Sequence, residues 1–109
     1  MEKGPSTFAQ YWTSEYNEMK HFLEHGWQMG FEYDVEGFSN AAKTLATSDD
    51  ENTCSFKRKD ECTCKFNKST RHFIVLNREG KIITFYKADF DYFKKEWINK
   101  GLYKIKGDF

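Results

Sequence analysis

Two histidines stand four residues apart near the end of a predicted helix. His21 and His25 therefore share one helix face, and Gly26 follows where a C-terminal glycine is expected. The negative end of the helix dipole favours a protonated imidazole, so we expect His25 to exchange protons near neutral pH. The alternative is an exposed polar stripe that contains both side chains, and the spacing alone leaves both interpretations open.

The same pair raises the question of a metal ion. Cys62 and Cys64 would add two thiolates to the two histidines. However, no further ligand stands at a recognised spacing, and the glutamate of a His-Glu-x-x-His motif is absent. We therefore predict no metal and no other cofactor. Since the third cysteine is Cys54, one bridge from it to Cys62 or Cys64 stays open, as do three free thiols.

A second set of candidate residues lies in the predicted strands. Thr84 and Tyr86 alternate with Phe85, so these two side chains share one face of a strand. Cations occur on or beside the predicted sheet at Arg58, Lys65, Lys68, Arg71 and Lys87. Cations can hold phosphate charge, and an aromatic ring can stack on a base. The set fits a phosphodiester ligand, although ordinary alternation with solvated cations would look the same.

Charge is distributed unevenly along a chain whose net charge is zero. Residues 1–51 hold three basic and ten acidic side chains, and residues 52–109 hold fourteen basic and seven acidic ones. This division indicates either a surface in the second half that faces a polyanion, or opposite charges that meet across the fold. No apolar run approaches the roughly 20 residues of a membrane span, and residues 1–10 do not resemble a signal peptide. We expect no membrane partner.

The periodicity of apolar residues predicts helices first and strands afterwards. One helix is expected over 8–25, with a capping box formed by Thr7 and Gln10, and a second follows Asp34. A third helix and an edge strand are expected near the end of the chain. The order indicates the α+β class, with N-terminal helices packed on a four-stranded or slightly larger antiparallel β-meander. The predicted strands lie at about 53–57, 61–66, 71–77 and 81–87, the third helix at 89–101 and the edge strand at 102–106.

The length of 109 residues suits one domain. We place this domain at residues 7–109, after a flexible tail at 1–6. The tail precedes the first helical pattern. The whole of the predicted chemistry therefore belongs to a single folding unit.

Two segments carry a resemblance to a known family. His21–Phe31 resembles the His-Phe-x-Lys-His-Gly-x-x-Phe-Gly-Phe segment of bacterial polymorphic-toxin nuclease domains, with Glu24 in the place of the lysine. Downstream, Lys65–Thr70, Phe73–Leu76 and Gly80–Lys87 resemble the β-meander of the same family. Over residues 19–90 the chain thus resembles the colicin D-like branch of the barnase–EndoU–colicin–RelE superfamily, which occurs in polymorphic and contact-dependent inhibition toxins.

The resemblance implies an endoribonuclease toxin of bacterial competition that needs no metal. Such a toxin acts in the bacterial cytoplasm, often on the anticodon loop of transfer RNA, and can be delivered as the C-terminal part of a secreted protein. A cognate immunity protein or antitoxin would be its partner besides RNA, and we expect a monomer. His25 falls on the catalytic histidine of the family, and Thr84 and Tyr86 fall on a hydroxyl residue and an aromatic one.

The remaining candidates complete a site for transesterification. We expect His21 and Lys87 beside His25, Thr84 and Tyr86 in the catalytic group, and RNA contacts from Arg58, Lys65, Lys68 and Arg71. The ribose 2′-hydroxyl would attack phosphorus to give a 2′,3′-cyclic phosphate, with side chains moving protons and holding charge. The competing hypothesis is a non-catalytic binding module or inhibitor of the same fold. A protein that had lost catalysis would have no reason to keep both His25 and Thr84.

Overall fold

The chain folds as helices followed by an antiparallel sheet, which confirms the predicted α+β class. The computed structural model describes residues 6–109. None of the helices in this part of the chain is long and apolar enough to cross a membrane. The elements are α1 (Glu15–His21), a π-turn (Phe22–Gly26), α2 (Val35–Thr47), β1 (Thr53–Arg58), β2 (Thr63–Asn67), β3 (His72–Leu76), β4 (Ile82–Lys87), α3 (Phe90–Lys100) and β5 (Gly101–Lys106).

The sheet is a meander with one added strand. Its strand order is β4-β3-β2-β1-β5, so the chain returns after α3 to the edge beside β1. The predicted edge strand is thereby confirmed. In the β3–β4 ladder Phe73 pairs with Tyr86, and Val75 pairs with Thr84. These pairs put Thr84 and Tyr86 on one face of the sheet, as predicted, while Phe85 packs on the other.

Helices cover both faces of the sheet. On one face, α2 packs Phe38 and other apolar side chains against β3 and β4. On the opposite face, α3 packs Phe93 against the remaining aromatic core. The first layer contains Trp12, Phe38, Ala42, Leu45, Ile74, Leu76, Ile82 and Phe85, and the second contains Cys54, Phe56, Cys64, Phe66, Phe73, Val75 and Phe93.

The first helix begins later than its periodicity predicts. Ser14 caps it by accepting a hydrogen bond from the Asn17 N–H at 3.0 Å. The predicted capping box is wrong, because Thr7 donates its N–H and hydroxyl to the Glu36 carboxylate instead. Trp12 is buried and forms a parallel bridge with Ile82 of β4. Pairing of Trp12 with the sheet edge therefore leaves only a short 3₁₀ helix, Ala9–Tyr11, in this part of the predicted helix.

A buried carboxylate ties the N-terminal segment to both helices. Glu18 of α1 is fully buried and accepts hydrogen bonds from the Ser6 N–H, the Ser6 hydroxyl and the Ser39 hydroxyl. These donors satisfy a group that would be costly to bury alone. Ser6 was predicted to lie in the flexible tail, but it is buried here. The rest of the predicted tail, residues 1–5, lies outside the described residues.

All three cysteines are free thiols on the α3 side of the sheet. Cys54 and Cys64 are fully buried, whereas Cys62 is half-buried beside them. Burial raises the pKa of Cys64 to about 12, so its thiol is neutral and unreactive at physiological pH. Their contribution is apolar packing.

Candidate active site

The structure brings His21, His25 and Tyr86 together at the β4 edge of the sheet. The ring centroids of the two histidines lie 5.8 Å apart, and those of His25 and Tyr86 lie 5.2 Å apart. The π-turn that carries His25 is a form of helix common at functional sites. Gly26 ends it in close contact with Phe22, whose Cδ1 would lie 2.7 Å from an added Cβ. This contact explains why glycine follows His25.

His21 is oriented by its own helix. Its Nδ1 lies 3.0 Å from the Asn17 carbonyl oxygen, so in the neutral ring Nδ1–H donates to that carbonyl and Nε2 is left as an acceptor. The Asn17 side chain in turn donates to the Ile83 carbonyl of β4 at 2.8 Å. Asn17 therefore fixes α1 to β4 and positions His21. Asn17 was not among the predicted site residues, although it stands one turn before His21 on the same face.

His25 is neutral at physiological pH. Its partial burial lowers its pKa below the usual 6.5, and the neighbouring His21 lowers it further. Glu24, with its Oε1 3.8 Å from His25 Nε2, opposes both effects but does not outweigh them. The expected preference for the protonated ring at the helix end is therefore wrong, because desolvation and like charge exceed the dipole effect. A neutral imidazole can accept a proton from a substrate.

Tyr86 presents a hydroxyl that stays protonated. Burial raises its pKa, as does the hydrogen bond that its hydroxyl shares with the Tyr92 hydroxyl. Its ring packs on His25, Phe73 and Tyr92, with centroid distances of 5.2, 5.3 and 6.0 Å. Tyr86 is thus a hydrogen-bond donor rather than a base. Tyr92 was not among the predicted site residues, because it belongs to α3, far from His25 along the chain.

Thr84 and Lys87 lie on the same strand as Tyr86. Thr84 is half-buried two residues before Tyr86 on the same face, and its hydroxyl makes no hydrogen bond within residues 6–109. Lys87 is exposed at the end of β4, where it pairs with His72 of β3. Thr84 therefore shares the sheet face of Tyr86, whereas the alternation of the strand places Lys87 on the face of Phe85.

Two further cations lie at the same end of the sheet as Lys87. Lys68 and Arg71 belong to the β2–β3 turn and are exposed. The Arg71 carbonyl accepts a hydrogen bond from the Ala88 N–H at 2.9 Å, which joins this turn to the end of β4. We call Lys68, Arg71 and Lys87 the cationic cluster. It is the part of the predicted RNA surface that is exposed where the β2–β3 turn meets the end of β4.

Lys65 does not join the cationic cluster. It is buried, and its ammonium group donates to the carbonyls of Ala46 at 3.1 Å and Ser48 at 2.7 Å. Asp49 lies 3.5 Å from the same group. The Lys65 ammonium group therefore neutralises the C-terminal end of α2. Its side chain is too buried to contact RNA.

Arg58 also lies away from the candidate site. It ends β1, three strands from β4, which at about 4.8 Å per strand is roughly 14 Å. Its guanidinium pairs with Asp60 at 2.5 Å. Neither Arg58 nor Lys65 can thus take part in phosphate binding beside His25.

The four residues considered as metal ligands do not converge. Cys64 lies on β2, two strands from β4, and its side chain is buried under α3. His21 and His25 lie at the outer edge of β4 instead. Among the described residues, no three histidines, cysteines or carboxylates come together in a way that could hold a metal ion.

The charge state of His25 leads to a prediction for NMR titration. We expect a pKa below 6.5, and Glu24→Gln should lower it further because Glu24 favours the protonated form. Since the unfolded state then binds more protons, this histidine should make the fold less stable as pH falls below about 6.5. Glu15→Gln, a change of the same kind at the start of α1, should leave the value unchanged. A His25 pKa above 6.5 would contradict this account.

No protein-family model matches the chain, and no curated protein matches it either. The architecture is an α+β fold that a known ribonuclease also adopts. It is similar to a ribonuclease from Escherichia coli in complex with its inhibitor protein, with a TM-score of 0.55 over 74% of this chain and 94% of that chain. The identity is 15%, so the likeness shows a shared fold.

Proposed function

We propose that this protein is a metal-independent endoribonuclease. The observation that carries the proposal is the contact of His21, His25 and Tyr86 at one sheet edge, in a fold whose cationic cluster is exposed at the end of the same sheet. Proton-transfer groups and fixed positive charge are the two requirements of phosphodiester transesterification without a metal. The similarity in fold to a ribonuclease supports the same activity.

The two histidines act as an acid–base pair. His21 lowers the pKa of His25, since two adjacent rings resist double protonation. In the proposed reaction His25 starts neutral and acts as the base, and His21 acts as the acid. His25 then takes the proton of the ribose 2′-hydroxyl while the 2′-oxygen bonds to phosphorus. The bond from phosphorus to the 5′-oxygen breaks, and His21 donates its proton from Nε2 to the leaving oxygen. The products are a 2′,3′-cyclic phosphate and a 5′-hydroxyl.

The other residues stabilise the charge of the transition state. Lys87 and Arg71 attract the non-bridging oxygens of the phosphate, and Lys68 holds a neighbouring phosphate. Tyr86 donates a hydrogen bond from its hydroxyl to a non-bridging oxygen, and its raised pKa keeps the hydroxyl protonated. Thr84 orients the phosphate through its otherwise unused hydroxyl.

The resemblance in the histidine segment suggests a finer assignment. We propose a colicin D-like toxin that cleaves transfer RNA, with the anticodon loop as its target and the bacterial cytoplasm as its place of action. Delivery as the C-terminal part of a secreted protein fits such a toxin. The E. coli neighbour is described in complex with its inhibitor protein. We propose an immunity protein or antitoxin as the corresponding partner of this chain, which would otherwise be a monomer.

A cleavage assay in EDTA tests the activity and its independence of metal together. The purified protein should cleave transfer RNA and a labelled hairpin at the same rate with and without EDTA, because no step uses a metal. The 5′ fragments should end in a 2′,3′-cyclic phosphate. Activity that is lost in EDTA and restored by zinc or magnesium would contradict the mechanism. The absence of any cleavage would favour the binding-module alternative.

A further inference from the structure

A groove lies next to the cationic cluster, on the α2 face of the sheet. It has a volume of about 260 Å³ and is bounded by the carboxyl-terminal half of α2 and the β2–β3 turn. Its apolar part is formed by Ala41 and Leu45, and polar side chains surround it. The volume is just below the roughly 300–1,000 Å³ of pockets for drug-sized ligands. The groove therefore suits one small flat molecule.

His72 is the most informative residue of the groove. It is half-buried, and its ring packs edge-on against Phe85 with a centroid distance of 5.2 Å. In the described part of the chain, its ring nitrogens have no hydrogen-bond partner. Burial and the neighbouring Lys87 lower its pKa, so the ring is neutral at physiological pH. It can thus offer one donor, one acceptor and an aromatic surface.

The other polar side chains of the groove also keep unused groups. Asn67 accepts the N–H groups of Ser69 and Thr70 through its Oδ1, which leaves its amide NH₂ to donate. Asp50 accepts hydrogen bonds from the Asn52 N–H and the Thr53 hydroxyl through its Oδ1, which leaves its Oδ2 to accept a hydrogen bond from a ligand. The Thr44 hydroxyl makes no hydrogen bond inside residues 6–109. Donors and acceptors thus surround an apolar surface, as in sites for heteroaromatic rings.

The position of the groove indicates which kind of aromatic ligand binds in it. His72 pairs directly with Lys87 across the β3–β4 ladder, and Arg71 precedes it in the chain. A phosphate held by these two cations would place an attached base beside His72. The ring of Tyr86, by contrast, is already packed on three aromatic neighbours.

We propose that this groove binds one nucleobase of the RNA and selects bases that carry an exocyclic amino group. The inference rests on the proposed ribonuclease function and adds a base-recognition site to it. The free Asp50 oxygen accepts a hydrogen bond from the amino group of adenine, cytosine or guanine. Uracil lacks this group and is bound more weakly.

Binding of single nucleotides to the ¹⁵N-labelled protein tests the groove directly. We expect 3′-AMP, 3′-CMP and 3′-GMP to shift the amide signals of Thr44, Asn67 and His72, and to bind about tenfold more tightly than inorganic phosphate, since a stacked base adds affinity of this order. 3′-UMP should lie between them and phosphate. Thr44→Phe fills the groove and should abolish the tighter binding of nucleotides while leaving phosphate binding unchanged. Thr47 is an exposed threonine one turn further on and does not line the groove. Thr47→Phe should therefore keep the tighter binding of nucleotides.

Two results would overturn the inference. One is that nucleotides bind no more tightly than phosphate, and the other is that Thr44→Phe behaves like Thr47→Phe. Cleavage by the wild-type protein separates this failure from that of the proposed function. If RNA is cleaved but Thr44→Phe has unaltered base preference, the base site is wrong and the ribonuclease stands. If nucleotides bind as expected but no RNA is cleaved, the groove stands and the proposed catalysis is wrong.

Discussion

Replacement of His25 by alanine is expected to reduce RNA cleavage by about 10²–10⁴-fold, the usual contribution of a proton-transfer residue. The side chain of His25 is 30% exposed and contributes ring contacts to His21 and Tyr86 rather than to the buried core. Its removal should therefore leave the fold intact. The measurement is kcat/KM on a labelled hairpin, with the thermal unfolding midpoint recorded for the same samples.

A control on the same turn separates chemistry from local structure. Leu23 precedes His25 by two residues and is 74% exposed, so Leu23→Ala should keep full activity while it disturbs the π-turn to a similar extent. His25→Gln tests the titrating group itself, because glutamine preserves size and polarity but cannot exchange a proton. Wild-type activity in a folded His25→Ala or His25→Gln protein would show that His25 does not move the proton.

The meander could be predicted from sequence because its determinants are local. Each hairpin connects neighbouring strands, and Gly80 adopts a positive φ in the last turn, which glycine tolerates. The caps of the later helices are also local, with Asp34 accepting from the Gly37 N–H and Asp89 from the Tyr92 N–H. Most features set within a few residues were thus predicted, although the equally local Ser14 cap of α1 was missed.

Features that depend on distant parts of the chain were missed. Trp12 leaves the helical pattern because Ile82, far along the chain, offers a sheet edge. Lys65 is charged, so it was expected to be exposed to solvent. The end of α2, however, supplies carbonyl groups that make its burial favourable. Tyr92 meets Tyr86 only because α3 folds back over the sheet. Periodicity along one element contains no information about such partners.

The candidate site combines both kinds of determinant. The spacing of His21 and His25 is a local property, and it placed the two rings together as predicted. The pKa of His25 is not local, because it follows from burial against β4 and could not be inferred from the helix dipole. A histidine pair in a sequence therefore indicates a position for chemistry, while the packing around it sets the protonation state.

Phe38 lies in the core that supports the candidate site. Phe38→Ala should lower the free energy of unfolding by about 3–5 kcal/mol. Phe38 is fully buried, and its ring packs against those of Trp12, Phe22, Phe31 and Phe85 at centroid distances of 5.9, 5.6, 6.1 and 5.3 Å. The cavity left by alanine would remove contacts in every direction. Because a domain of this size has only about 5–15 kcal/mol of stability, the loss would be large. Urea unfolding measures it.

The same substitution also tests how the site is held. Phe22 begins the π-turn that carries His25, and its ring rests on Phe38. Loss of that support should loosen the turn, expose His25 to water and move its pKa back towards 6.5. Val35→Ala, a partly buried position at the start of α2, should cost less stability and leave the His25 titration unchanged. If Phe38→Ala lost less than about 1 kcal/mol, or if the His25 pKa stayed as low as in the wild type, this core would not be what positions the catalytic turn.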